Sequence, residues 1–226
     1  FRDNLDMTRA LAQAAAKAGV RRFVFASSVG VYGSASAPGA AFREDSPVAP
    51  GARDIYAQSK LAAENFLLSE ETRAVIEPVI VRMPLVYGAG VKGNMAALLR
   101  LAQSGLPLPL AGIENRRSFV GISNCVSFLL AAAMRPEGGG RVLLASDRED
   151  VSTPDLLRCI AQGLGKPARL FSCPPALLKM ACVLLRQRAR FEKLAGNFQI
   201  DGSVSCALLG WTPQTSLAEG VAQMCA

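Results

Sequence analysis

Three short apolar runs constrain this chain most: Phe23-Val-Phe-Ala26, Val79-Ile-Val-Arg-Met83 and Val142-Leu-Leu-Ala145. A strand with one wetted face alternates apolar and polar residues, whereas a run without that alternation is buried on both faces. Helical spacing of apolar residues follows each run. Strand and helix in alternation, with doubly covered strands, specify an α/β fold built on a parallel sheet. Ligands of such open sheets bind beyond the carboxyl ends of the strands. Ser28, Pro84 to Tyr87 and Ser146-Asp147 all fall at such ends.

The elements are expected as follows. A helix over 4–18 stops at Gly19; a strand over 20–26 leads into a turn over 27–33 and a loop over 34–53 rich in Ala, Gly, Pro and Ser. A helix runs from Tyr56 to about Ser69, and a strand over 79–83 is ended by Pro84. Helix 94–104, strand 118–122, helix 123–134 and strand 142–145 come next. Thr153 is expected to cap a helix with Pro154 at its first position, reaching about Leu164. A strand over 169–172, a helix over 176–193, a short segment over 204–209 and a closing helix over 217–224 complete the chain.

The 226 residues, half of them hydrophobic, suffice for one large domain or a domain and a half. No apolar stretch approaches the 18 or more residues of a spanning helix, and no signal peptide is visible. Six cysteines are scattered without C-x-x-C spacing, which suits a reducing cytoplasm. With no histidine in the chain, a histidine base is excluded and no zinc or other metal site is expected. The net charge of +7 suits an anionic partner. Aromatic residues make up only 6% and are not interleaved with basic ones, so a phosphorylated small molecule is expected rather than nucleic acid.

Tyr56 and Lys60 stand four apart in Asp54-Ile-Tyr-Ala-Gln-Ser-Lys60. On a helix these positions share one face. A cation about 4 Å from a phenol, at an effective dielectric of about 20, is worth about 4 kcal/mol. That can draw a tyrosine pKa from about 10 toward neutrality, where proton carriers work best. A hydroxyl of the Ser27-Ser28 pair can hold a substrate oxygen against that phenol.

An ordered series of motifs carries a resemblance. It runs through Asn4, Phe23-Val-Phe-Ala-Ser-Ser-Val-Gly-Val-Tyr-Gly33, Glu44-Asp-Ser-Pro47 with Pro50, and Tyr56-Ala-Gln-Ser-Lys60. It continues through Arg82-Met-Pro-Leu-Val-Tyr-Gly88, Lys92-Gly-Asn94, Asn115-Arg-Arg-Ser-Phe-Val120 and Leu209-Gly-Trp211. The series resembles the extended short-chain dehydrogenase/reductases, the nucleoside-diphosphate-sugar epimerases and dehydratases, and most of all their O-antigen and capsule sugar branch. The resemblance implies a Rossmann-like sheet, with residues 1–90 as the carboxyl-terminal part of the dinucleotide-binding domain. Residues 91–226 are then mainly a substrate-binding lobe, with a strand and helix near 118–146 returning to the sheet.

By that resemblance Tyr56 is the acid/base, Lys60 binds the nicotinamide ribose and lowers the phenol pKa, and Ser28 bonds the sugar oxygen. Ser27 is either a backbone-bonding turn residue or a neighbour of the cofactor. Pro84 and Val86 lie near the nicotinamide, roles compatible with terminating a strand and filling a core. Asn94 is either a helix cap or a ligand of the substrate diphosphate. Arg117, ahead of Arg116, resembles the arginine that clamps that diphosphate, unless it is simply solvated.

Three departures shape the expected function. The family's Gly-x-x-Gly-x-x-Gly turn, which sets backbone N–H groups against the NAD pyrophosphate, is not in this sequence. The chain is therefore read as a trimmed one that binds NAD poorly by itself. Val29 and Gly30 stand where the dehydratases carry an Asp-Glu pair, which argues against dehydration. Leu85 stands where some galactose-type epimerases carry a substrate-binding asparagine.

NAD-dependent 4-epimerisation of a uridine-diphosphate sugar is the leading expectation, with NADP as an alternative cofactor. Reduction of a 4-keto-6-deoxy sugar by NADPH is the second reading, and a non-catalytic remnant the third. Homologues pair helices into a four-helix bundle, which leaves a homodimer open. The basic helix expected over 176–193, with Arg186, Arg188, Arg190 and Lys193, is either a solvated lobe helix or a peripheral membrane contact.

Overall fold

The computed structural model describes residues 2–184 and 188–225. Its first helix, α1 (Arg2–Lys17), ends at Gly19, whose φ of +75° suits glycine and lets the chain reverse into β1 (Arg22–Ser28). A 3-10 turn, Val29–Tyr32, and a long loop lead to α2 (Ile55–Leu67) and the single turn α3 (Glu70–Arg73). Next come β2 (Glu77–Met83), β3 (Leu85–Tyr87), α4 (Gly93–Ser104), β4 (Phe119–Gly121), α5 (Ile122–Met134) and β5 (Val142–Leu144). The remainder is helical: α6 (Thr153–Gly163), α7 (Pro175–Leu184), α8 (Arg188–Ala195), α9 (Ser203–Leu209) and α10 (Leu217–Cys225).

Strands β1, β2 and β5 form a parallel sheet in that order, with Arg22 opposite Glu77, Ser28 opposite Met83 and Arg82 opposite Leu144. All three carboxyl ends therefore lie along one edge. Alternation sends Phe25 and Ile80 to one face, where they pack with Ala12 of α1 and Ala63 and Leu67 of α2. Val79, Val81 and Leu143 face the other way, onto Phe128 of α5, Leu209 of α9 and Trp211. The Phe128 and Trp211 rings meet edge to face with centroids 5.0 Å apart, a geometry worth about 0.5–1.5 kcal/mol beyond area burial. A second pair, β3 and β4, is also parallel, and its Phe119 packs in a core with Met95 and Leu98 of α4, Leu156 and Ile160 of α6 and Val221 of α10.

The expected α/β parallel architecture is the one observed. Several local expectations need correction. Ser27 and Ser28 belong to β1, not to the turn after it. Ser152, not Thr153, caps α6, its hydroxyl accepting from Asp155 N. Thr153 is the first helical residue, and its hydroxyl donates to Leu194 O at 2.6 Å. Residues 169–172 make a lone bridge between Leu170 and Leu108, not a strand. The segment 204–209 is helical. The single helix expected over 176–193 is found as α7 and α8, with residues 185–187, including Arg186, outside the described residues.

Candidate active site

The end of β1 and the start of α2 are held together by main-chain and side-chain bonds. Asp54 caps α2, its carboxylate accepting from Ala57 N at 3.0 Å. Tyr56 and Lys60 follow on one face of the first turns. Lys60 Nζ donates to Ala26 O at 2.9 Å and lies 4.7 Å from the centre of the Phe25 ring and 5.8 Å from that of Tyr56. Ser28 caps the 3-10 turn, its Oγ accepting from Gly30 N at 3.1 Å. Gly30 sits between Ser28 and α2: a Cβ built there would stand 3.3 Å from Ser28 Oγ and 3.5 Å from Ala57 Cβ. The structure thus sets the start of α2, which carries Tyr56 and Lys60, beside the carboxyl end of β1, which carries Ser28. Tyr56 is 56% exposed.

The electrostatics differ from expectation. Burial, helped by the Asp54 carboxylate, pushes the Tyr56 hydroxyl above the ordinary phenol range. Burial also draws Lys60 down, against the pull of Glu64. The expected lowering by Lys60 is not what the surroundings of Tyr56 give: burial and the Asp54 carboxylate set the direction.

Ser27 points the other way, as the neighbour of Ser28 in a strand must. It is buried and donates to Glu64 Oε1. Glu64 in turn receives Arg82, with Nε at 3.1 Å from both carboxylate oxygens and Nη2 at 2.6 Å. Glu64 is 1% exposed and Arg82 5%. The guanidinium also covers the Tyr32 ring at 4.7 Å, and its charge works against the upward push of burial on the Tyr32 hydroxyl. Ser27 is thus neither a backbone-bonding turn residue nor open to a cofactor: its hydroxyl is consumed by the ion pair beneath the site. One available signal was Arg82 itself, a cation inside an apolar run, which has to be paired once buried.

Pro84 is buried directly after β2, and Val86, half-buried, pairs with Val120. Tyr87 Oη donates to Asp147 Oδ2 at 2.7 Å, and Asp147 also accepts from Gly121 N and Asn124 Nδ2. This buried knot, which sequence reasoning placed at the sheet edge without a partner, fastens β3, β4 and α5 behind Pro84.

Asn94 and Arg117 line a separate cavity of about 680 Å³ with Leu85, Phe119, Leu178 and Cys182. Asn94 is the second residue of α4; Lys92 holds the cap position, so Asn94 is not a cap. Its side chain makes no hydrogen bond among the described residues and is exposed. Arg117 is half-buried, donates from Nη1 to Gly196 O at 3.0 Å, and is drawn down in pKa by burial. Arg116 is exposed and reaches Asp150 O instead. Arg117 is therefore not simply solvated. Residues 197–201 run alongside: Phe198 bonds Arg116 and Ser118, while Asn197 O, Gln199 O and Asp201 N bond Ser36 and Phe42. No cluster of three or more metal-ligating side chains occurs among the described residues.

The UDP-glucose 4-epimerase of Vibrio cholerae is 37% identical over 214 residues, covering 94% of this chain and 65% of that protein. A UDP-glucose 4-epimerase of Mycolicibacterium smegmatis is 31% identical, covering 97% and 66%. The chain thus spans about two thirds of the length of these relatives. The structure of a UDP-glucuronic acid 4-epimerase from Bacillus cereus in complex with NAD superposes with a TM-score of 0.75 at 23% identity, covering 98% of this chain and 64% of that one, and so shares the fold. The family model of the NAD dependent epimerase/dehydratase family matches residues 1–145, and the chain belongs to that family.

Proposed function

We propose that this chain supplies the proton-handling and diphosphate-holding parts of an NAD-dependent 4-epimerase. Its substrate would be a nucleoside-diphosphate sugar, with uridine diphosphate as the nucleotide, made in the cytoplasm for cell-surface polysaccharide. One observation carries the reading: the 2.9 Å bond from Lys60 Nζ to Ala26 O, which seats the Tyr56 face of α2 against the strand end bearing Ser28. The relatives of known name support it, two of them being UDP-glucose 4-epimerases.

The residues present fit the nicotinamide end of NAD. Lys60 uses one of its three N–H donors on Ala26, leaving donors for ribose hydroxyls. Val86, half-buried next to the buried Pro84, offers apolar surface there, and Pro84 adds no competing donor. When bound, NAD supplies hydride acceptance at the sugar carbon and the return of that hydride. Tyr56, as the phenolate, would take the proton of the C4 hydroxyl and return it as the neutral phenol, and Ser28 would hold the same oxygen. In the cavity, Arg117 and Asn94 would face the diphosphate, a planar guanidinium suiting phosphate oxygens. The raised pKa of Tyr56 favours a second reading, in which the protonated phenol serves as donor during reduction of a 4-keto-6-deoxy sugar.

The test is incubation of the natural full-length protein with UDP-glucose, UDP-N-acetylglucosamine and a 4-keto-6-deoxy sugar nucleotide, each with NAD or NADPH, products being followed by NMR. Inversion at C4 with NAD is expected, and Tyr56→Phe should lower its rate by about 10²–10⁴-fold, the usual contribution of a positioned acid/base. Reduction of the keto sugar alone would select the second reading. No conversion of any substrate, or full activity in Tyr56→Phe, would overturn both.

A further inference from the structure

Helix α7 is apolar on two sides. Leu178 and Cys182, four residues apart, face the cavity. Leu177, Met180 and Leu184 recur at i, i+3 and i+7 on a different face and are 52%, 57% and 77% exposed. Val183 and the nearby Phe171 are also exposed. Lys179 is the only charged residue of this helix.

The surrounding sequence carries one sign of charge. Between Asp155 and Glu192 there are five arginines and two lysines and no acidic residue, while the whole chain has a net charge of +7. The rest of the molecule is therefore neutral in sum. A water-facing apolar stripe embedded in the stretch that holds the entire charge excess fits an anionic bilayer, which takes apolar side chains and attracts cations together. A second copy of the chain fits badly, since it would bring the same cationic stretch against this one.

We propose that the outer face of α7, through Leu177, Met180 and Leu184, docks on the surface of a membrane containing anionic lipid. No helix of the described residues is long and apolar enough to cross a membrane, so the contact is peripheral. One helix then has its inner face on the cavity and its outer face on lipid.

Co-sedimentation of the full-length protein with phosphatidylcholine vesicles, with and without phosphatidylglycerol, tests this. Binding is expected only with the anionic lipid, and it should be lost near 1 M salt, where the Debye length is about 3 Å. Leu177→Asp combined with Leu184→Asp should weaken it about tenfold or more, given what burial of a leucine is worth. Thermal unfolding of that variant checks that it folds. Lys179→Glu, at an exposed position, tests the charge contribution separately and should weaken binding several-fold. Three results would overturn the proposal: no vesicle binding, binding indifferent to lipid charge or to these substitutions, or a concentration-dependent dimer abolished by the aspartates.

Discussion

Removing Glu64 tests the account of how the site is supported. Its carboxylate receives three contacts from Arg82 within 3.1 Å and the hydroxyl of Ser27, and both ionic partners are nearly free of water. Glu64→Ala strands the guanidinium over the Tyr32 ring. Breaking a buried pair from one side costs about 3–5 kcal/mol, chiefly because the remaining charge is uncompensated. The orphaned Ser27 hydroxyl adds about 1–3 kcal/mol if nothing replaces its acceptor. Against a domain stability of about 5–15 kcal/mol this is a large fraction.

For a chain of this size each kcal/mol moves Tm by about 2–4 °C, so the ion-pair loss alone should lower Tm by about 6–20 °C. Replacing the cluster by hydrocarbon, as Glu64→Leu with Arg82→Met and Ser27→Ala, removes the stranded groups and should bring stability back to within about 2 kcal/mol of the parent. Urea unfolding followed by circular dichroism measures both. If Glu64→Ala costs less than about 1 kcal/mol, or the triple variant is no better than the single one, desolvation is not what makes Glu64 necessary.

Three further outcomes follow from the geometry. All three tyrosines have pKa values raised above 10, by burial first in each case. A raised acid pKa gives stability that is present below the unfolded value, near 10, and is lost as pH rises toward the folded one. For buried Tyr32 and Tyr87 together the slope is about −2.7 kcal/mol per pH unit in that window. Ultraviolet titration should therefore show their phenolate absorbance appearing together with unfolding, not before it. Asp54→Ser keeps a good cap but removes the carboxylate that raises Tyr56, so the Tyr56 pKa should fall while Tm changes little; an unmoved pKa would refute that assignment. Gly220→Ala places a Cβ 2.9 Å and 3.0 Å from two atoms of the Tyr87 ring system, and this overpacking, about 1–3 kcal/mol, should outweigh the helix preference for alanine, about 1 kcal/mol. A more stable Gly220→Ala protein would show that the ring can yield.

What could be read from the residues divides along physical lines. The strands of the main sheet were legible because unalternating β-branched and aromatic runs have few other uses. Tyr56 and Lys60 were legible because helical spacing fixes their common face. The ribbon strand β3 was not, since three residues after a proline carry no period of their own. The misplaced cap of α6 reflects Ser152 and Thr153 being similarly good cappers side by side; in the fold the Thr153 hydroxyl is taken up by Leu194 O and Asn115 Nδ2, leaving Ser152 to cap. Ser27 and Ser28 are chemically alike, and only strand alternation separates the one bound to Glu64 from the one at the sheet edge. The sign of the Tyr56 shift is set by burial and then by the Asp54 carboxylate, and the extent of burial leaves no mark in the four-residue spacing of Tyr56 and Lys60.

The five residues from Asn197 to Asp201 act as a seam. On one margin they are stitched to the loop that carries the backbone from Ser28 toward Tyr56, and on the other to the stretch holding Arg117. A single proteolytic nick inside this seam would slacken both margins at once. Protection of that one peptide from cleavage by an added nucleotide sugar would report tightening across the whole site.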